Sequence, residues 1–189
     1  HYALHVRNMS LKSTRRKYLD MVAEREGIEE KIPDISKFDD NAKDMPLKMR
    51  AHWERANYAA MMENMDTSIG MVLDRLDELG MQKNTFVIFS SDNGGGASNK
   101  PLQGGKARMW EGGIRVPAAI WWPSKLESDQ PLSEVVHIAD VLPTLLDFME
   151  LKIPSVDGRS LKGLLLEGSL LEPRSLVVTS FGSEAMIDW

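Results

Sequence analysis

From Pro46 to Leu79 apolar residues recur at three- and four-residue steps, at Met49, Trp53, Ala56, Ala60, Met65, Ile69, Val72, Leu76 and Leu79, and Gly80 follows where a helix would end. That spacing places them on one face, so it predicts a single long amphipathic helix closed by a C′ glycine. Its methionines read as flexible core filler and not as a ligand stripe. Thr85 to Ser90 has a different pattern, an unbroken run of β-branched and aromatic residues. It predicts a strand buried in a sheet covered on both faces. A second buried strand is predicted over Val116 to Trp122. A helix follows over Val136 to Met149, with Asp140 as its N-cap and Pro143 in its first turn. A small helix over Leu161 to Leu166, capped by Ser160 and stopped by Gly168, precedes a last strand near Leu176 to Thr179. Earlier, Arg15 to Asp44 is polar and charge-rich, which predicts a short helix and then an exposed connection. Helices and strands alternate, as in α/β folds.

Composition narrows the partners. The chain has 189 residues, 42% hydrophobic and 27% charged, which is ordinary for a folded domain. Lys and Arg number 23 against 28 Asp and Glu, a net charge of -5, so no global basic field exists to attract a nucleic-acid backbone. There is no cysteine. A disulfide framework, a thiolate zinc site and a cysteine-derived nucleophile are therefore excluded within these residues. No apolar stretch approaches the ~20 residues that span a bilayer. Residues His1 to His5 read as a strand entered midway and not as a signal peptide.

Three places carry candidate chemistry. In open α/β sheets, sites form beyond the carboxyl ends of strands, where loops converge on rigid bases. Asp92 and Asn93 stand at such an end and offer a carboxylate and an amide oxygen, hard donors suited to Ca²⁺ or Mg²⁺. The plain alternative is that Asp92-Asn93-Gly94 is only a turn. The glycine-rich run Gly104 to Pro117 brings Lys106 and Arg108 close to a strand, and Lys106 can set an ammonium against a bound sulfate or phosphate. Its alternative is a solvated surface lysine, and Arg115 reads as a partner for a nearby carboxylate. His5 ends the apolar segment Tyr2-Ala3-Leu4 and can donate to a substrate oxygen or serve the structure alone. His52 and His137 read as structural.

The order of these segments resembles the sulfatase family of the alkaline-phosphatase-like superfamily, over nearly the whole chain. Tyr2-Ala3-Leu4-His5 resembles its strand ending in an active-site histidine, Tyr58 to Gly80 its long helix, and Phe86 to Gly94 its strand and Ser-Asp-Asn-Gly metal motif. Gly105-Lys106 with Trp110-Glu111-Gly112-Gly113-Ile114-Arg115-Val116-Pro117 is similar to the stretch with the sulfate-binding lysine. Asp140 to Leu146 and Asp157-Gly158-Arg159-Ser160-Leu161 match two further segments.

The resemblance implies part of a sulfatase sheet flanked by helices, incomplete at both ends. Residues 1–189 are then one partial catalytic domain, with 170–189 opening the carboxyl-terminal subdomain. It also implies that Asp92 and Asn93 ligate calcium, with magnesium as the alternative, that Lys106 binds the sulfate, and that His5 contacts the ester. Lys106 and His5 thus serve both binding and catalysis. The pattern departs at Arg7, where the family has proline. The formylglycine motif Cys/Ser-x-Pro-x-Arg and the amino-terminal aspartate pair are absent, so the nucleophile is expected in a missing amino-terminal part and this chain is expected to be inactive alone. The expected function is hydrolysis of sulfate esters of sugars or aryl compounds by the complete protein, in a secreted, periplasmic or lysosomal setting. The alternatives are a phosphate or phosphonate ester hydrolase of the same superfamily, and a noncatalytic remnant or interaction module.

Overall fold

A computed structural model describes residues 11–27, 47–96, 98–127, 130–180 and 183–188. The expected strand ending at His5 and the connection after Gly27 lie outside these residues. The chain divides into two compact units, the first ending at Gly80 and the second beginning at Met81.

The first unit is built on two helices, α1 (Lys12–Glu26) and α2 (Leu47–Glu78). Both close on glycines in the left-handed conformation, Gly27 and Gly80, each at φ 63°. Glycine adopts that angle without the steric penalty a Cβ would bring, so the C′ position predicted at Gly80 is observed. α1 packs on the first half of α2. Leu19, Trp53, Ala56, Ala60 and Met61 are buried there. Ala56 and Ala60 lie one turn apart, and their small side chains let the helix backbones approach. Polar ties fix the register: Leu11 N–H donates to Asn64 Oδ1 at 3.0 Å, Asn64 Nδ2 to Thr14 Oγ1 at 3.1 Å, and Lys17 Nζ to Glu63 Oε2 at 2.7 Å. The Lys17 hydrogen bond, with one from Tyr18, holds the Glu63 carboxyl below its usual range. The expected apolar stripe is only partly used, because Val72 in the second half of α2 and Leu79 just past its end are exposed.

In the second unit β1 (Val87–Ser90) pairs antiparallel with β2 (Ala118–Trp121), with Val87 opposite Trp121 and Ser90 opposite Ala118. The two strands lie where the sequence predicted strands, but not in the environment predicted. Among the described residues they form a two-stranded ribbon, and Ile88 and Phe89 are 37% and 39% exposed. A ribbon of two strands offers no layer to cover both faces, so the apolar run is not buried as its composition led us to expect. At its base Phe86, Trp122 and Phe148 form an aromatic cluster with ring centroids 5.2–5.4 Å apart. Trp122 Nε1 donates to Lys83 O at 3.0 Å, satisfying the indole where the ring is half-buried.

A 3₁₀ turn (Ile138–Asp140) leads into α4 (Val141–Phe148), and α5 (Lys162–Glu167) follows; the single helical turn between β1 and β2, α3 (Glu111–Ile114), belongs to the site below. Pro143 sits in the first turn of α4 as predicted, and Gly168 ends α5 at φ 65°. Ser160 Oγ accepts the Lys162 N–H at 3.2 Å, but the N-cap of α5 is Leu161 and no side chain caps the helix, because Ser160 lies one residue too early, so the capping predicted for Ser160 is not observed. Asp140 does not act as the side-chain N-cap of α4. It is fully buried and accepts from His137 N at 2.8 Å, Arg159 N at 3.0 Å and Arg174 Nη1 at 2.7 Å, with a second Arg174 contact through Nη2. Burial pushes this carboxyl up, but the Arg174 hydrogen bonds, the two backbone donors and the Arg174 charge outweigh it and hold the group below its usual range. Nearby, Asp147 takes Ser160 Oγ at 2.5 Å and Lys162 Nζ at 3.3 Å. The chain then forms a hairpin of β3 (Ser175–Ser180) and β4 (Ser183–Asp188), with Ser175 opposite Asp188.

Candidate functional site

The glycine-rich segments after β1 and before β2 meet at one end of the ribbon. Ser91 N–H donates to Pro117 O at 3.2 Å, which continues the strand pairing one step past Ser90. The chain then turns. Ser91 Oγ donates to Asn93 O at 2.9 Å, and Asp92 Oδ1 accepts its neighbour's N–H at 3.0 Å, an Asx-type contact that shapes the turn. Asp92 is exposed and Asn93 half-buried.

The Lys106 loop is laced onto this turn through backbone. Gly94 N–H donates to Gly113 O at 2.8 Å and Lys106 N–H to Gly95 O at 3.0 Å. Within the loop, Gly112 N–H reaches Gln103 O at 2.7 Å and Gly113 N–H reaches Trp110 O at 2.7 Å. The glycines are needed for space. A methyl group at Gly94 would collide with the Gly112 carbonyl, one at Gly112 with the Gln103 and Gly104 carbonyls, and one at Gly113 with the Gly105 and Arg108 carbonyls. Those obstacles are backbone and cannot rotate away. Gly94→Ala is therefore expected to destabilise the second unit by about 1–3 kcal/mol, read as a lower urea midpoint; an unchanged midpoint would show that the loops do not pack this closely.

Asn99 joins the same network. Its Oδ1 accepts from Gly95 N at 3.1 Å, and its Nδ2 donates to Gly95 O at 2.9 Å and Gly104 O at 3.2 Å. Sequence reasoning passed over it, although an asparagine in a glycine-rich loop is a recognisable source of side-chain to backbone bonds. Lys106 itself is exposed, and no ion pair to it occurs among the described residues. Arg115 pairs with Glu111 at 3.4 Å, the carboxylate role expected of it. His137 and His52 have local structural contacts, His137 Nδ1 accepting from Ala139 N at 3.2 Å and His52 Nδ1 lying 2.9 Å from Arg55 Nη2.

Of the predicted site residues, the fold thus brings Asp92 and Asn93 together with Lys106, on two loops joined by backbone hydrogen bonds. His5 lies outside the described residues. Among the described residues no group of three or more His, Cys, Asp or Glu gathers to hold a metal ion, so Asp92 and Asn93 supply hard oxygen donors without a complete acidic cage. No helix among them is long and apolar enough to cross a membrane.

Comparison with known proteins is consistent in direction. The N-acetylgalactosamine-6-sulfatase of Mus musculus is 37% identical over 129 residues, covering 62% of this chain and 25% of that enzyme. The steryl-sulfatase of Rattus norvegicus is 39% identical over 124 residues, covering 58% and 22%. The matched stretch is thus about a quarter of the length of these curated relatives. A protein crystallised in complex with k-i-k-neocarrahexaose superimposes with a TM-score of 0.63 at 23% identity, over 94% of this chain and 43% of that one. A structure described under the metabolism of multiple glycosaminoglycans by Bacteroides thetaiotaomicron gives 0.65 at 23% identity, over 92% and 35%. These likenesses carry the fold alone. The family model described as Sulfatase matches residues 13–151, which include both glycine-rich loops and α4, and on that match the chain belongs to the sulfatase family.

Proposed function

We propose that this chain supplies part of the cation site and the anion-binding lysine of an enzyme that hydrolyses sulfuric esters, acting in the complete protein on sulfate esters of sugars or aryl compounds. The observation that carries the reading is the backbone lacing of the Lys106 loop onto the Asp92-Asn93 turn, Lys106 N–H to Gly95 O at 3.0 Å and Gly94 N–H to Gly113 O at 2.8 Å. It holds an ammonium-bearing residue and two hard oxygen ligands on one rigid base, the arrangement that tetrahedral oxyanions need.

Asp92 and Asn93 would hold Ca²⁺, or Mg²⁺ in its place, together with oxygens from outside the described residues, because such cations take about six to eight oxygen ligands. When bound, the cation polarises sulfate oxygens and lowers the pKa of an attacking hydroxyl. Lys106 binds a sulfate oxygen and stabilises charge on the leaving oxygen, and His5 donates to the ester. The attacking group is a formylglycine in an amino-terminal part beyond these residues, since the motif Cys/Ser-x-Pro-x-Arg does not occur in the chain. By itself the chain is inactive. Residues 170–189 open a carboxyl-terminal subdomain, of which the β3–β4 hairpin is the first element. The substrate is a small sulfate ester or a sulfated glycan, not nucleic acid, met in a secreted, periplasmic or lysosomal compartment.

The test is a comparison of rates for the complete protein on para-nitrophenyl sulfate and para-nitrophenyl phosphate, before and after chelation. The expected result is a faster sulfate reaction that chelation abolishes and calcium restores. A faster phosphate reaction would favour phosphate or phosphonate esters, and no turnover of either by the complete protein would favour a noncatalytic remnant.

A further inference from the structure

We infer that Asn99 is a positioning residue for Lys106, the latch that sets the anion-binding loop against the metal-binding turn. The inference rests on the proposed role of Lys106. Among the described residues one carboxamide makes three bonds to two loops. Its oxygen takes Gly95 N–H at 3.1 Å, and its Nδ2 donates to Gly95 O at 2.9 Å and to Gly104 O at 3.2 Å. The partners dictate the orientation of the amide, because a backbone N–H demands the oxygen and two carbonyls demand the NH₂.

The Gly95 carbonyl is shared. It accepts from Asn99 Nδ2 and also from the Lys106 N–H at 3.0 Å, so the side chain of Asn99 and the backbone of Lys106 meet on one oxygen. Asn99 thereby holds Gly95, which lies two residues after Asn93, and Gly104, which lies two residues before Lys106. Gly104 stands at φ 79°, a left-handed angle that turns the loop toward the Lys106 step. Removing the carboxamide leaves the Gly95 N–H and the Gly104 carbonyl without this partner and frees the loop pair to slide. The backbone bond from Lys106 to Gly95 remains but loses its fixed acceptor. Asn99 touches neither the cation nor the sulfate in this account. It acts through where Lys106 stands.

Aspartate, alanine and serine do not replace it. Aspartate offers two acceptors and no donor, and sets a carboxylate against two carbonyls. Alanine makes none of the bonds. Serine keeps a single hydroxyl that satisfies one loop at a time.

The experiment uses the complete protein and a double-mutant cycle on an activated aryl sulfate, with kcat, KM and the melting midpoint measured for wild type, Asn99→Ala, Lys106→Ala and the pair. Displacing a catalytic group by about 1 Å costs up to 10²-fold, so Asn99→Ala is expected to lower kcat about 10- to 100-fold with little change in KM. In the Lys106→Ala background the same substitution is expected to change kcat less than about twofold, because no lysine remains to be misplaced. Asn99→Asp is expected to lose as much as Asn99→Ala. A loss of equal size in both backgrounds overturns the proposal, since a merely structural role would persist without the lysine. An unchanged kcat for Asn99→Ala also overturns it. If Asn99→Ala does not fold at the assay temperature, Asn99→Ser carries the same cycle and the same criteria. Should Lys106→Ala alone retain full activity, the reading of the site itself fails, an outcome visible before Asn99 is considered.

Discussion

Lys106→Ala in the complete protein is expected to lower kcat/KM for an aryl sulfate by about 10²- to 10³-fold, the range found when one preorganised charge donor is removed from a transition state. The melting midpoint is expected to stay where it was. Lys106 is exposed and no ion pair to it occurs among the described residues, so removing its ammonium breaks no structural contact of that kind. Only its backbone N–H, which alanine keeps, ties it to Gly95 at 3.0 Å. Lys106→Arg is expected to recover part of the loss, because the charge returns on a planar group that cannot occupy an ammonium's position. A full rate in Lys106→Ala would place the sulfate elsewhere.

Asp140→Ala is expected to destabilise the second unit by about 3–5 kcal/mol, the cost of breaking a buried ion pair by removing one partner. The carboxylate is fully buried and its loss strands three donors at once: Arg174, whose side chain is only 14% exposed, and the N–H groups of His137 and Arg159. These connect the 3₁₀ turn before α4, the approach to α5 and the start of β3, so the effect extends beyond one helix. Urea denaturation measures it, and a loss under about 1 kcal/mol would mean the arginine finds water instead. The pH dependence has a definite sign. The folded-state pKa of Asp140 is lowered, so its contribution is fully present above the unfolded value of about 3.9 and fades as the pH falls through the folded value. The gap in stability between wild type and Asp140→Asn is therefore expected to be constant near neutrality and to shrink below about pH 4.

What could be read from the sequence was local. The three- and four-residue spacing from Trp53 to Leu79 located α2, and Gly80 and Gly168 marked helix ends because a left-handed C′ residue favours a side chain without Cβ. A run of β-branched and aromatic residues located β1, and the apolar segment after the glycine-rich stretch located β2. The order of the Ser-Asp-Asn-Gly, Gly-Lys and Trp-Glu-Gly-Gly segments carried the family. Local pattern failed where a contact joins residues far apart in the chain. Asp140 has the chemistry of an N-cap, and in the sequence nothing shows that Arg174, 34 residues on, occupies its carboxylate instead. The run from Thr85 to Ser90 has the composition of a buried strand, while its burial depends on layers contributed by other segments.

The sequence alone determined that α2, α5 and β1 to β3 form, where α2 and α5 stop, and which side chains bear charge or hard oxygen beside glycine, since these follow from spacing and backbone sterics within a few residues; β4 and the helical turn α3 were not predicted. Tertiary structure alone decided that β1 and β2 run antiparallel, that one Gly95 carbonyl joins Asn99 to Lys106, and that Asp140 is an ion-pair hub. Each of those depends on hydrogen bonds between segments that chain folding, and not sequence distance, brings within about 3 Å.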